Sequence, residues 1–117
     1  LVRRDTFEKI TVKLDELEET ITKLLDEIQQ NMYNTCKKRM EAKTTIAHNL
    51  EEFQANMNTE QGFIKAMWCG SSECEEKIKE LTSAKSRCMP FEQEHIGDTC
   101  VCCGKKADKM VVWGRQY

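Results

Sequence analysis

No apolar run in these 117 residues approaches the roughly 20 residues needed to span a bilayer. Nothing in them resembles a secretory signal, so an oxidising compartment has no independent support. Charge of one sign is not in excess either. Twenty acids against 18 bases leave a net charge of −2, which argues against a domain that grips nucleic acid by bulk electrostatics. A glycine-rich phosphate loop and a nucleophile elbow are both missing. With no other catalytic constellation in view, these residues are not expected to be a catalyst. Low-complexity stretches and internal repeats are absent too. Hydrophobic content of 39% is lean for a small core, which a metal staple would help. The length suits one domain, or a small domain carrying a long helical extension. Opening at Leu1 in Leu-Val-Arg-Arg-Asp-Thr, the chain reads as cut from the middle of something larger.

Cysteine, by contrast, is plentiful, with seven in the chain. Cys69 and Cys74 form a C-x4-C pair, and Cys100 and Cys103 a C-x2-C pair, with twenty-five residues between the pairs. Four thiolates can surround one zinc ion tetrahedrally, each short pair supplying two adjacent vertices. Gly70 and Gly104 stand where a chain wrapping its backbone around sulfur needs positive φ. A disulfide framework is the rival reading. It is disfavoured by the odd cysteine count and by the crowding of Cys100, Cys102 and Cys103. A redox C-x-x-C would leave Cys69 and Cys74 without a role. His95 could replace one thiolate, but four better-spaced cysteines are available. His48 reads as a turn or cap residue. Cys88, isolated, reads as a small buried hydrophobe.

Periodicity supplies the elements. Residues 1–13 carry a short alternation that predicts the tail end of a sheet. Residues 15–43 predict one long amphipathic helix, with Leu17, Ile21, Leu24, Leu25, Ile28, Met32, Cys36 and Met40 on one face. Asp15 and Glu18 form a capping-box pattern there, with Leu14 as the staple. That face is expected to dock on a core, and Lys37-Lys38-Arg39 to be a solvated face. Thr44–Ile46 predicts a short strand. Asn49 with Glu52 caps a helix burying Leu50, Phe53 and Met57. Phe63–Trp68 predicts a strand delivering Cys69 to the metal. Ser72 with Glu75 caps a helix over 73–82 that turns Ile78 and Leu81 inward. Cys74 then lies in its first turn, where the positive helix end is expected to lower the thiol pKa. Strands are expected at 85–91 and 109–113, with a polar loop at 92–99 and a short tail, Gly114-Arg115-Gln116-Tyr117, that turns away at Gly114. The fold class is therefore α+β: a long N-terminal helix, then a small sheet with short helices, stapled by a four-cysteine zinc site.

Several of these stretches together resemble the C-terminal part of the archaeal/eukaryotic-type prolyl-tRNA synthetases, a class II aminoacyl-tRNA synthetase family. Leu1 to Thr6 looks like the last strand of that family's anticodon-binding domain, and Leu24-Leu25-Asp26-Glu27-Ile28-Gln29 like the long helix leading out of it. Trp68-Cys69-Gly70 through Cys74-Glu75, Arg87-Cys88-Met89-Pro90-Phe91 and Cys100 through Lys105 resemble its zinc-binding domain, and the ending in Tyr117 matches a family habit. The resemblance implies a division into residues 1–13, the end of the anticodon-binding domain; 14–43, a linking helix; and 44–117, the zinc-binding domain. It also implies a homodimeric cytosolic parent enzyme that attaches proline to tRNA using ATP. ATP would be bound only by a catalytic domain lying upstream. The partners implied are the remainder of the synthetase and, through it, tRNA, with no membrane. Relatives carry C-x2-C-G or C-x-C-G at the second pair, so Cys102 and Cys103 compete for one vertex. Cys103 is preferred because it directly precedes Gly104. A terminal tail folding back on the catalytic domain is implied as well. The alternative to all of this is a stand-alone zinc-ribbon-like module that binds RNA or protein.

Overall fold

A computed structural model describes residues 1–59 and 62–116. The chain forms two compact units, Leu1–Arg39 and Met40–Tyr117.

In the first unit, residues 1–10 double back on themselves instead of extending as a strand. The Ile10 amide donates to the Leu1 carbonyl at 2.9 Å, the Arg3 amide to Glu8 at 2.9 Å, and Phe7 turns through φ 60°. Only Val2 and Lys9 pair as in a sheet. A charged cluster takes over the role expected of strand neighbours. The Arg3 guanidinium grips Asp5 through two bonds of 3.1 and 2.9 Å and also reaches Glu27 at 3.0 Å. The Asn31 amide donates to Asp5 at 2.8 Å. Arg3 foremost, and then Asn31, hold the Asp5 carboxyl well below the usual carboxylate range. The turn is thus fastened by polar contacts to the helix that follows.

That helix, α1, spans Leu17–Ala42, after a short 3-10 turn at Leu14–Glu16. Asp15 falls inside the 3-10 turn, so the expected capping box has no flanking position to work from. No residue of α1 is buried, and Leu25, Met32 and Met40 are each more than half exposed. Along the stripe foreseen from periodicity, Leu17, Leu24 and Ile28 are half-buried while Ile21, Leu25, Met32, Cys36 and Met40 are exposed. Every described helix is too short or too polar to cross a membrane.

The second unit is built on a four-stranded sheet in the order β1-β2-β4-β3, from β1 (Thr44–Ile46), β2 (Phe63–Trp68), β3 (Ala84–Cys88) and β4 (Lys109–Arg115). β1 and β2 are parallel, joined through helix α2 (Leu50–Thr59), while β4 runs antiparallel to β2 and β3. The foreseen cap of α2 is formed. Asn49 Oδ1 accepts from the Glu52 amide at 2.9 Å, and the Glu52 carboxylate accepts from the His48 amide at 2.9 Å. Return of the chain into β2 brings Gly62 against β1. A Cβ there would sit 1.9 Å from the Lys43 carbonyl oxygen, which itself accepts the Phe63 amide. Gly62→Ala is therefore expected to destabilise by about 3 kcal/mol, since backbone must move. An unchanged urea midpoint would contradict this.

Strand alternation sorts side chains to the two sheet faces. Ile64, Ala66, Val111 and Trp113 meet Phe53 and Met57 of α2 and Ile78 of helix α3 (Ser72–Thr82) in the main core. On the opposite face Met67 and Met110 pack with Cys74, Cys100 and Ala107. Leu81 is half exposed, and Thr82 is the residue buried at the end of α3. The Thr82 hydroxyl donates to the Ile78 carbonyl and accepts the Ala84 amide, so its burial leaves no polar group unmet.

Two expectations about the later chain are corrected. Cys88 is exposed, because β3 is an edge strand with a bulge between Ser86 and Cys88 that breaks the alternation. Gly114 and Arg115 continue β4 instead of starting a tail. Gly114 is buried between Phe63 and Lys85, where a Cβ would come within 3.2 Å of the Phe63 ring. Arg115 fastens the helices: Nε donates to the Thr82 carbonyl at 3.0 Å and Nη2 to Asn58 at 3.1 Å. The expectation attached to Tyr117 lies outside the described residues.

Candidate metal centre

Both cysteine pairs are carried on turns at one end of the sheet. β2 ends at Trp68, and Cys69 follows directly. Gly70 then turns with φ +88°, and α3 begins, which places Cys74 in its first turn. The Trp68 indole donates to the Ser71 carbonyl at 3.1 Å and closes this turn. Ser71 flanks the helix without a side-chain cap, and the Glu75 carboxylate accepts from the Ser86 hydroxyl instead. The second pair sits in a hairpin. Thr99 pairs with Lys106, the Cys100 amide donates to the Lys105 carbonyl at 2.7 Å, and the Gly104 amide returns to the Cys100 carbonyl at 2.9 Å. Gly104 has φ +70°, so both glycines occupy the left-handed region expected of them. The Val101 amide donates to the Met67 carbonyl at 2.9 Å and ties this hairpin to the end of β2.

These turns bring four sulfurs together. The Sγ atoms of Cys69, Cys74, Cys100 and Cys103 all lie within 4.8 Å of one another. Cys69 and Cys74 are 3.7 Å apart, and Cys69 and Cys103 3.8 Å. A regular tetrahedron of sulfurs about 2.3 Å from a central ion has edges of about 3.8 Å. The donor set and spacing therefore suit a four-coordinate, thiolate-loving cation. Cys102, one residue away, takes no part in the group and packs half-buried against both apolar clusters. His95 is also apart, exposed and paired with Asp98 at 3.1 Å.

Electrostatics at the four positions are uneven. Burial, with the neighbouring sulfurs adding to it, pushes the Cys74 thiol well above its ordinary value. The lowering expected from the start of α3 is thus overridden by desolvation. At Cys69 the Ser71 amide favours the thiolate, but burial and the Cys100 and Cys103 sulfurs outweigh it and the pKa rises. Cys103 is drawn down to about 7, chiefly by the Lys105 amide. Crowded thiols of this kind resist ionising together, and a bound dication reverses that preference.

Periodicity gave no sign of Lys109. Register places it opposite Trp68, and its ammonium would lie 3.5 Å from a Cβ built on Gly70. The signal lay in strand pairing, not in any local motif.

A family model described as prolyl-tRNA synthetase, C-terminal, matches residues 50–117. Over all 117 residues the chain is 56% identical to a proline–tRNA ligase of Clostridium botulinum (strain Okra), covering 24% of it. It is 53% identical to proline–tRNA ligase 2 of Bacillus cereus, covering 25%. The chain thus spans about a quarter of the length of these relatives. Among solved structures, prolyl-tRNA synthetase from Cryptosporidium parvum complexed with L-proline and AMP superposes with a TM-score of 0.90. It is 32% identical over 99% of this chain and 25% of that one. The same enzyme complexed with halofuginone and AMPPNP gives a TM-score of 0.87. On this match of sequence and fold, the chain belongs to the prolyl-tRNA synthetase family, as a C-terminal part of such an enzyme.

Proposed function

We propose that this chain is a zinc-stapled structural region of a proline–tRNA ligase, an enzyme that attaches proline to its tRNA using ATP in the cytoplasm. Cys69, Cys74, Cys100 and Cys103 hold one zinc ion in this reading, and the observation that carries it is the tetrahedral spacing of their sulfurs. Zinc has no preferred geometry of its own and no redox chemistry, so four thiolates and no open position make a structural site. Its contribution is to lock β2, α3 and the 98–107 hairpin into one body. In this reading the chain itself binds neither proline nor ATP. The sites for both belong to the rest of the synthetase, which together with tRNA is the partner in this proposal, in a homodimeric parent. Residues 1–13 serve as the end of an anticodon-binding domain, 14–43 as the link out of it, and 44–117 as the zinc-binding domain.

Proline-dependent pyrophosphate exchange tests the division of labour. The full-length protein is expected to exchange and to charge tRNA with proline, and the 117-residue chain to do neither. Exchange that follows the short chain through repeated purification would overturn the non-catalytic assignment. Failure of the full-length protein to charge tRNA with proline would overturn the enzymatic one.

A further inference from the structure

The four clustered cysteines are not equally protected. Cys100 and Cys74 are 2% and 8% exposed, whereas Cys69 is half-buried and Cys103 is open to solvent. The two accessible sulfurs are also immediate neighbours, 3.8 Å apart. Around Gly104, the residue after Cys103, a Cβ would meet nothing within 4 Å, so the turn that carries Cys103 is uncrowded. The remaining exposed thiols lack this arrangement. Cys36 lies on α1 and Cys88 on the edge strand β3, and neither belongs to a cysteine group among the described residues.

We propose that Cys103 and Cys69 form a peroxide-sensitive pair, and that their oxidation to a disulfide releases the metal. This rests on the reading of the four cysteines as metal ligands. The Cys103 thiolate attacks one oxygen of hydrogen peroxide; the S–O bond forms, the O–O bond breaks, and hydroxide leaves, taking a proton to become water. The product is a sulfenic acid at Cys103. The Cys69 thiolate then attacks the Cys103 sulfur; the S–S bond forms, the S–O bond breaks, and a second hydroxide leaves as water. Two thiolates lose two electrons in all, and one peroxide is reduced to two waters. A disulfide needs its sulfurs about 2.05 Å apart, so Cys103 must move inward, and its open turn permits this. Of the four clustered cysteines only Cys74 and Cys100 then remain as thiolate donors, too few for a tetrahedral site. Because the disulfide is reducible, a dithiol and added zinc restore the starting state.

The test uses the intact protein, treated with graded hydrogen peroxide. Metal content is measured beforehand by elemental analysis, released zinc with a chromogenic chelator, and disulfides by mass spectrometry of a non-reducing digest. The expected result is one Cys69–Cys103 disulfide for each zinc released, reversed by dithiothreitol plus zinc. Cys102→Ser should release zinc at the parental rate. A first disulfide at any pair other than Cys69–Cys103, Cys69–Cys74 and pairs with Cys102 included, or oxidation confined to Cys36 and Cys88 with zinc retained, would overturn the proposal. If the purified protein holds no metal at the outset, the metal reading fails on its own. Formation of Cys69–Cys103 in that metal-free chain would still identify the reactive pair, and its absence would remove it.

Discussion

Stripping the metal with a strong chelator is expected to unfold residues 40–117 cooperatively. Structural zinc in small domains contributes roughly 10–16 kcal/mol of apparent binding free energy. That is comparable to or above the ~5–15 kcal/mol that holds a typical domain together. Here the site joins the end of β2, the start of α3 and the hairpin around Cys100, which also meet through Met67, Ala107 and Met110, through Val101 and Ile78 in the main core, and through the Val101 amide. Without the ion, the Cys74 thiol, held neutral by burial, and its three neighbours lack a common centre. Cys100→Ser and Cys74→Ser, at the buried positions, should abolish metal content and lower the thermal midpoint most. Serine at Cys36, Cys88 or Cys102 should leave metal content unchanged. Elemental analysis with circular dichroism decides the matter. Parental zinc in Cys100→Ser, or a chelated protein that melts as before, would refute the structural role.

Trp113→Ala is expected to cost about 3–5 kcal/mol, the range for emptying a large aromatic site in a core. Trp113 is fully buried in β4, and its ring meets Phe53 edge-on, with centroids 6.0 Å apart at 82°. Losing it opens a space between the sheet and α2 that neighbours on both sides can fill only in part. Trp113→Phe should be much milder. It keeps an aromatic ring, and it removes an indole N–H that has no hydrogen-bond partner among the described residues. In a double-mutant cycle, Trp113 and Phe53 should couple by about 0.5–1.5 kcal/mol. Urea unfolding of the variants measures all of these. A phenylalanine substitution as costly as alanine would show that the indole is doing more than filling space.

Local chemistry made much of this architecture legible. β2 has the bounds that its apolar run predicts, and Asn49 and Glu52 cap α2 because a cap needs only residues three apart in sequence. The C-x4-C and C-x2-C spacings, each with its glycine, foretold two turns with positive φ, and the turns are there. Expectations failed where a residue's surroundings come from far along the chain. Cys88 looked like a core residue until the edge position and bulge of β3 turned it to solvent. Gly114 looked like a place to turn, yet strands on both sides hold it straight.

The sequence by itself determined most of the element types, the two cysteine-bearing turns and the α+β class, because hydrophobic period, caps and short cysteine spacings are properties of neighbouring residues. It could name candidates for the fourth sulfur but could not choose among them by contact. Tertiary structure decided that Cys103 joins Cys69, Cys74 and Cys100 while Cys102 turns to the apolar packing. It decided that Arg115 anchors α2 and α3 instead of ending a tail, and that Lys109 stands beside Gly70. The reason is the same each time. Strand register and the folding of α3 bring together residues far apart in the chain, and no local pattern encodes which side chains then meet.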